Sequence, residues 1–214
     1  MSNFLETLRV QRWDDHRYYH HSRINQSLHF ISAISFLVAY VYMFINPAVS
    51  GLIGWLISMV TRQSGHFFFE PRGFDHINQV TDEYKEEIKV GFNIQRKVVL
   101  MGVWAGLPLL LWLNPSFFGL MEAHQDLSGF VLNVGWLWLW LGVAGLLVRV
   151  LQLWQKESLY TGIVWATKIL TDPFHDLMMY WKSPYYLFVK RQLLDPGNHI
   201  AHADEEQEPE YAKS

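Results

Sequence analysis

Two short runs in this chain carry side chains that could hold a metal ion. In HHSRINQSLH, His20 and His21 precede Asn25 and His29, and in GHFFFE, His66 stands four residues before Glu70. Asn25 with His29, and His66 with Glu70, are each one helical turn apart, so each pair shares a helix face. His76 follows within reach of a turn. His20 and His29 are nine residues apart, which is about 13.5 Å along a continuous helix. One ion with bonds of about 2.1 Å cannot bridge that span. If the two serve one site, a helix has to begin between them, near Ser22 to Asn25. Imidazoles and a carboxylate with open positions are the ligand set of non-haem Fe(II) oxygen chemistry, and Zn2+ would accept them too. His20, His21, His29, His66 and His76 are therefore the candidate metal ligands. Asn25 and Glu70 are candidate catalytic or ligand-orienting groups.

The elements that must position these residues are long and apolar. Residues 28–47, 50–69, 98–118 and 130–153 read as four spans, since a bilayer core of about 30 Å takes about 20 helical residues. Only 17% of the residues are charged, against about 25% in ordinary soluble domains. All seventeen Lys and Arg fall before the first span, between the second and third, after the fourth, or at adjoining helix ends such as Arg62 and Arg149. The opposite side receives only Glu122 and Asp126. The positive-inside rule then puts both termini in the cytoplasm. The expected fold is all-α: an integral membrane four-helix bundle with amphipathic, interfacial helices on its cytoplasmic face, in a bacterial inner membrane or the endoplasmic reticulum. Residues 1–195 form one membrane domain and 196–214 a polar, disordered tail. The N-terminus, with Arg9, Arg12, Arg17 and Arg23 ahead of a long apolar run, does not read as a cleavable signal.

Because the first two spans are antiparallel, His29 and His66 reach similar depth on the same side. A polar group there is costly unless paired or liganded. Nine of the ten histidines lie on that side, His124 being the exception; His16, His199 and His202 sit in segments expected to be exposed. Thr81, with acidic residues after it, reads as a helix start that either stands alone or extends the third span. Residues 156–170 are amphipathic, and Asp172-Pro173 reads as the cap and first residue of a further short helix. Trp165, Trp181, Tyr185 and Tyr186 would anchor these helices along the membrane face.

Several function classes fall away. A net charge of -3 argues against nucleic acid as a partner. The absence of cysteine removes disulfides, thiolate metal sites and cysteine nucleophiles. No phosphate-binding glycine loop and no GxSxG elbow is present. The eight or more histidines of HxxxH and HxxHH desaturases are missing. A bis-histidine haem on His29 and His66 would leave Glu70, Asn25 and the remaining histidines without a role. Other metal-dependent lipid hydroxylases or hydrolases, and a non-enzymatic metal- or haem-binding protein, stay open as alternatives.

The run Tyr19-His20, Asn25, His29 entering one span, followed by Gly65-His66 and Glu70 ending the next, resembles the 2-hydroxy fatty acid dioxygenases, short multi-spanning membrane proteins. The likeness covers residues 15–72; beyond them it extends to hydropathy only. It implies an Fe(II)-dependent dioxygenase that shortens a 2-hydroxy fatty acid by one carbon, with the motif histidines on iron. The partners would be a fatty-acyl substrate, dioxygen and the bilayer, with homo-oligomerisation left open. A 2-hydroxy acid can chelate iron through carboxylate and hydroxyl. Its chain would then lie near Phe30, Phe67 and Phe68, with Arg23 or Arg72 facing its carboxylate.

Overall fold

A computed structural model describes residues 3–70, 72–76, 78–91 and 93–195. Helices joined by turns and loops make up the described residues, which hold no strand and only isolated bridges at Ser22–Leu194 and Asp75–Val80. Helix α1 (Phe4–Tyr19) ends one residue before His20, and α2 (Arg23–Ile45) begins just after Ser22. Ser22 caps α2 by accepting the Asn25 N–H. Asn46 then closes α2 and caps α3 (Pro47–Ile53), with Pro47 in the first turn, where its missing N–H costs nothing. Helices α5 (Asp82–Ile88), α6 (Ile94–Leu113), α7 (Leu127–Lys156), α8 (Leu159–Tyr180) and α9 (Ser183–Phe188) follow α4 (Val60–Phe68).

Three helices, α2, α6 and α7, are long and apolar enough to cross a membrane. Their outer faces are open: Phe44 is 92% exposed, and Leu113, Trp140 and Leu147 are exposed with it. Apolar surface on that scale belongs against lipid or protein. The expected second span, 50–69, departs from a uniform helix. Between α3 and α4 the backbone widens into a π-helical turn over Gly54–Met59, which leaves no single α-helix of spanning length there. The hydroxyl of Ser58 reaches back to the Ile53 carbonyl at 3.4 Å, and the Ser58 carbonyl accepts the Ser32 hydroxyl at 2.8 Å. Carbonyls released by the wide turn are thus taken up by hydroxyls, one from the turn itself and one from α2, as a low-dielectric setting requires.

Close packing fixes this interrupted segment. A Cβ on Gly51 would strike the Gly135 carbonyl of α7, and one on Gly135 would strike the Ala48 carbonyl. Small residues at this crossing let two backbones meet. Alongside, Trp55 donates to the Trp138 carbonyl at 2.6 Å, and Trp138 donates to the Trp104 carbonyl at 3.0 Å. Trp104 is the residue whose carbonyl Pro108 cannot reach, having no N–H, so the indole fills the gap in α6. Trp55, Trp138, Leu111, Val134 and Leu137 form the buried core of this half.

One expectation for the segments outside the spans needs correction. Residues 159–180 form one long helix, α8, which runs through Pro173 rather than starting there. Asp172 does not cap a helix because Lys168 and the arginines of neighbouring helices hold its carboxylate. Near the proline, the Leu170 carbonyl accepts the Tyr40 hydroxyl at 2.9 Å. Helix α5 stands apart from α6, which has its own cap at Asn93. The tail 196–214, with His199 and His202, lies outside the described residues.

Candidate metal centre

The break between α1 and α2 brings His20 back over the first turns of α2. His20 Nε2 lies 3.2 Å from His29 Nε2, and the His66 ring stands 5.3 Å from His20 and 4.9 Å from His29 between centroids. Each of the three offers one ring nitrogen within 4.8 Å of the others, and all three are buried, His29 completely. Two nitrogens on one ion at about 2.1 Å stand about 3.0 Å apart at a right angle and about 3.4 Å apart at a tetrahedral angle. The His20–His29 separation falls between these values. The cluster can hold a metal ion.

The outward ring nitrogens of two of them meet carboxylates. His66 Nδ1 lies 2.5 Å from Glu70 Oε2, and His29 Nδ1 lies 3.4 Å from Asp176 Oδ2. A carboxylate on Nδ1 fixes the tautomer that leaves Nε2 as a lone-pair donor and holds the ring in place. Burial, and then the neighbouring His29, lowers the His20 pKa well below the ordinary imidazole value, so this ring is neutral at physiological pH. Burial pushes the Glu70 carboxyl up, and Lys89 and Lys97 pull it part of the way back. Two further atoms are orphaned: His20 Nδ1 and Asn25 Oδ1 are buried without a hydrogen-bond partner among the described residues. Asn25 Nδ2 donates to the Tyr19 carbonyl at 2.9 Å, which leaves Oδ1 against Gly65. A buried acceptor without a donor is costly; a water or hydroxyl carried by a bound ion would satisfy it.

The break itself is clamped from the C-terminal end. Leu193 and Asp195 pair with the backbone of Arg23 and His21, and Asp195 also accepts from Gln26 at 2.9 Å and Arg23 at 3.0 Å. Helix α8 supplies the opposite wall. Lys168, Asp172, Asp176 and Tyr180 recur at intervals of four and so form one polar stripe. Lys168 bridges Asp15 and Asp172 at 2.9 and 2.7 Å, and Arg62 bridges Asp172 and Asp176 at 3.5 and 2.8 Å. Burial alone would raise the Asp15 carboxyl, but Lys168 and the more distant Arg62 outweigh it and hold the group well below the usual carboxylate range. Tyr180 Oη lies 2.8 Å from His16 Nδ1, with its ring beside those of His20 and His29. Burial and then Asp176 raise the Tyr180 phenol, so it keeps its proton.

Of the residues singled out by sequence, the structure gathers His20, His29, His66, Asn25 and Glu70. It does not bring His21 or His76 to them. His21 turns the other way, with Nε2 3.6 Å from Asp75 and 3.4 Å from Asn78, because consecutive residues at a helix break diverge. His76 is exposed beside Phe74. Arg23 is taken by Asp195, Gln26 and the Tyr186 ring, and exposed Arg72 donates to the Phe67 carbonyl. His16, expected to be exposed, is buried. His16, Asp176, Tyr180 and Arg62 are the site residues that sequence reasoning missed. The four-residue stripe on α8 was the available signal, hidden by reading Pro173 as a helix start.

An apolar cavity of about 390 Å³ reaches the cluster through His66. Phe36, Tyr40, Trp55, Met59, Leu100 and Trp165 line its body. Its polar end presents Arg62, His66, Lys89, Lys97 and Lys168 together with the carboxylates of Asp14 and Asp15. Phe30, Phe67 and Phe68 are not among its walls, and Phe68 points outward, because α4 turns Gln63 and His66 inward instead. A second, polar hollow meets the first at His66 and is lined by Glu70, Arg72, Asp82 and Glu86. No protein family, curated protein or solved structure matches the chain significantly.

Proposed function

We propose that this protein is a membrane-embedded, Fe(II)-dependent dioxygenase acting on 2-hydroxy fatty acids at the cytoplasmic end of a multi-pass helical bundle. The observation that carries the reading is the convergence of three imidazole nitrogens, two of them backed by carboxylates, at the polar end of an apolar cavity. His20, His29 and His66 would hold the ion, with Glu70 and Asp176 orienting two of them. Three nitrogen ligands leave room for the carboxylate and hydroxyl of a 2-hydroxy acid and for dioxygen. Bound Fe(II) would supply dioxygen activation and polarise the chelated hydroxy acid.

The chain's own residues do the rest. The cavity walls exclude water from the acyl chain, and the aromatic and aliphatic side chains there match it in polarity. Tyr180, still protonated, and His16 behind it form a hydrogen-bonded pair able to hold or pass a proton beside His20. The balance closes with dioxygen as the only oxidant: R–CH(OH)–COO⁻ + O2 gives R–COO⁻ + CO2 + H2O. The C1–C2 bond breaks and C2 becomes the new carboxylate carbon. The likeness of the His20–Glu70 region to 2-hydroxy fatty acid dioxygenases agrees with this reading. The segregation of basic residues to one side supports cytoplasmic termini.

The test is oxygen uptake by detergent-purified protein loaded with Fe(II). 2-Hydroxypalmitate should drive uptake and yield the acid one carbon shorter, whereas palmitate should not. Uptake with neither, in protein carrying stoichiometric metal, would exclude the oxygenase reading and leave a hydrolytic or non-enzymatic metalloprotein.

A further inference from the structure

Five cationic or imidazole side chains face the polar end of the apolar cavity, and four of them are occupied. Arg62 is held by Asp172 and Asp176, and Lys168 by Asp15 and Asp172. Lys89 is shared between Glu70 and Glu86 and lies over the Tyr19 ring at 3.8 Å. His66 is paired with Glu70. Lys97, in the first turns of α6, is different. It is only 7% exposed, lines the same cavity, and makes no ion pair or hydrogen bond with any described residue. An ammonium kept out of water without a counter-charge is strongly disfavoured. Glu70 and Glu86 act on this ammonium only from beyond contact distance, so the structure holds a buried cation with no direct partner, at the end of an apolar chamber.

We infer that Lys97 is the carboxylate-recognition residue of this cavity, and that its ligand is a single-chain fatty acid anion whose chain lies along Phe36, Trp55 and Leu100. This rests on the lipid-enzyme reading above and specifies which residue selects the substrate's charge. One unpaired ammonium matches one negative charge. A lysine, as a compact point charge, suits a monoanion; it lacks the planar fork with which arginine grips phosphate bidentately. The cavity is within the range of small-ligand sites, about 300–1,000 Å³, and it is continuous with His66, so a carboxylate on Lys97 is delivered beside the histidine cluster. Arg23 and Arg72, the cations expected from sequence for this task, do not line the chamber.

The experiment is titration of the detergent-solubilised full-length chain with palmitate and with its uncharged methyl ester, both before and after chelator treatment. Wild-type protein should prefer palmitate by tenfold or more, the ordinary worth of a charge-assisted hydrogen bond. The preference should survive chelation. Lys97→Met should abolish it by weakening palmitate alone, and Lys97→Arg should restore part of it. Lys97→Met should also melt no lower than wild type without ligand, because it removes a buried charge that has no direct partner. Equal binding of acid and ester by wild type, or an unchanged preference in Lys97→Met, would overturn the assignment. Preference lost on chelation would also overturn it, placing recognition on the metal. Failure of the metal reading shows up separately, as absence of bound metal with the Lys97-dependent preference intact.

Discussion

Gly65 is the point where the two motif helices touch, and a single methyl group there tests how the site is positioned. A Cβ on Gly65 would land on the Asn25 Oδ1 atom and close to the His29 ring. Asn25 is fully buried and tethered to the Tyr19 carbonyl, so it cannot swing away freely. Gly65→Ala therefore has to push α4 off α2 or expel Asn25. Overpacking of this kind costs about 1–3 kcal/mol, and in a chain of this length each kcal/mol lowers the melting temperature by about 2–4 °C. The larger consequence is at His66, the next residue. Metal–ligand distances tolerate shifts of about 0.2 Å, less than the clash demands, so metal affinity should fall at least tenfold. Gly106→Ala, in α6 where nothing lies within reach of the new atom, should leave affinity unchanged and be neutral or slightly stabilising. Thermal melts and metal titration of both variants make the comparison. Wild-type metal affinity in Gly65→Ala would show that the Asn25–Gly65 contact does not position the cluster.

Three further outcomes follow from the same geometry. Asp176→Asn removes the carboxylate behind His29 and one of the two partners of Arg62, so metal affinity should drop about 10–100-fold by titration; no change would mean His29 is oriented by packing alone. His21→Ala and His76→Ala should retain full metal content, since one imidazole faces Asp75 and the other is exposed; loss of metal in either would require a rearranged site. In metal-free protein, burial depresses the pKa of His20 and His175 in the folded state. The unfolded chain then binds protons first as pH falls through about 6.5, so stability should be full above that value and decline below it. A melting temperature that rises on acidification would contradict the buried, neutral state of these rings.

The histidine cluster was legible because each half of it is local. Asn25–His29 and His66–Glu70 are one turn apart, and antiparallel apolar runs bring the halves to one depth. Even the helix break between His20 and His29 could be anticipated, since no continuous helix lets both reach one ion. His21 was indistinguishable from His20 in sequence, because which of two adjacent residues turns inward depends on the clamp made by Leu193 and Asp195, far along the chain. The contribution of α8 was hidden for a different reason. A proline after an aspartate is a normal helix start, and only tertiary contacts, Lys168 and Arg62 on Asp172 and Tyr40 on the Leu170 carbonyl, keep the helix going through it. The interruption of the second apolar run by a π-helical turn left no hydropathy signal, because every residue there except Ser58 is apolar or glycine.

The central claim is that His20, His29 and His66 hold one metal ion, and elemental analysis of protein purified without added metal tests it most directly. Wild-type protein should carry one equivalent of a transition metal, iron on the present account and zinc on the alternative. His29→Ala and His66→Ala should carry none while His76→Ala carries the full complement. A metal-free wild type that also fails to bind added Fe(II) or Zn2+, or His29→Ala protein with undiminished metal, would contradict it.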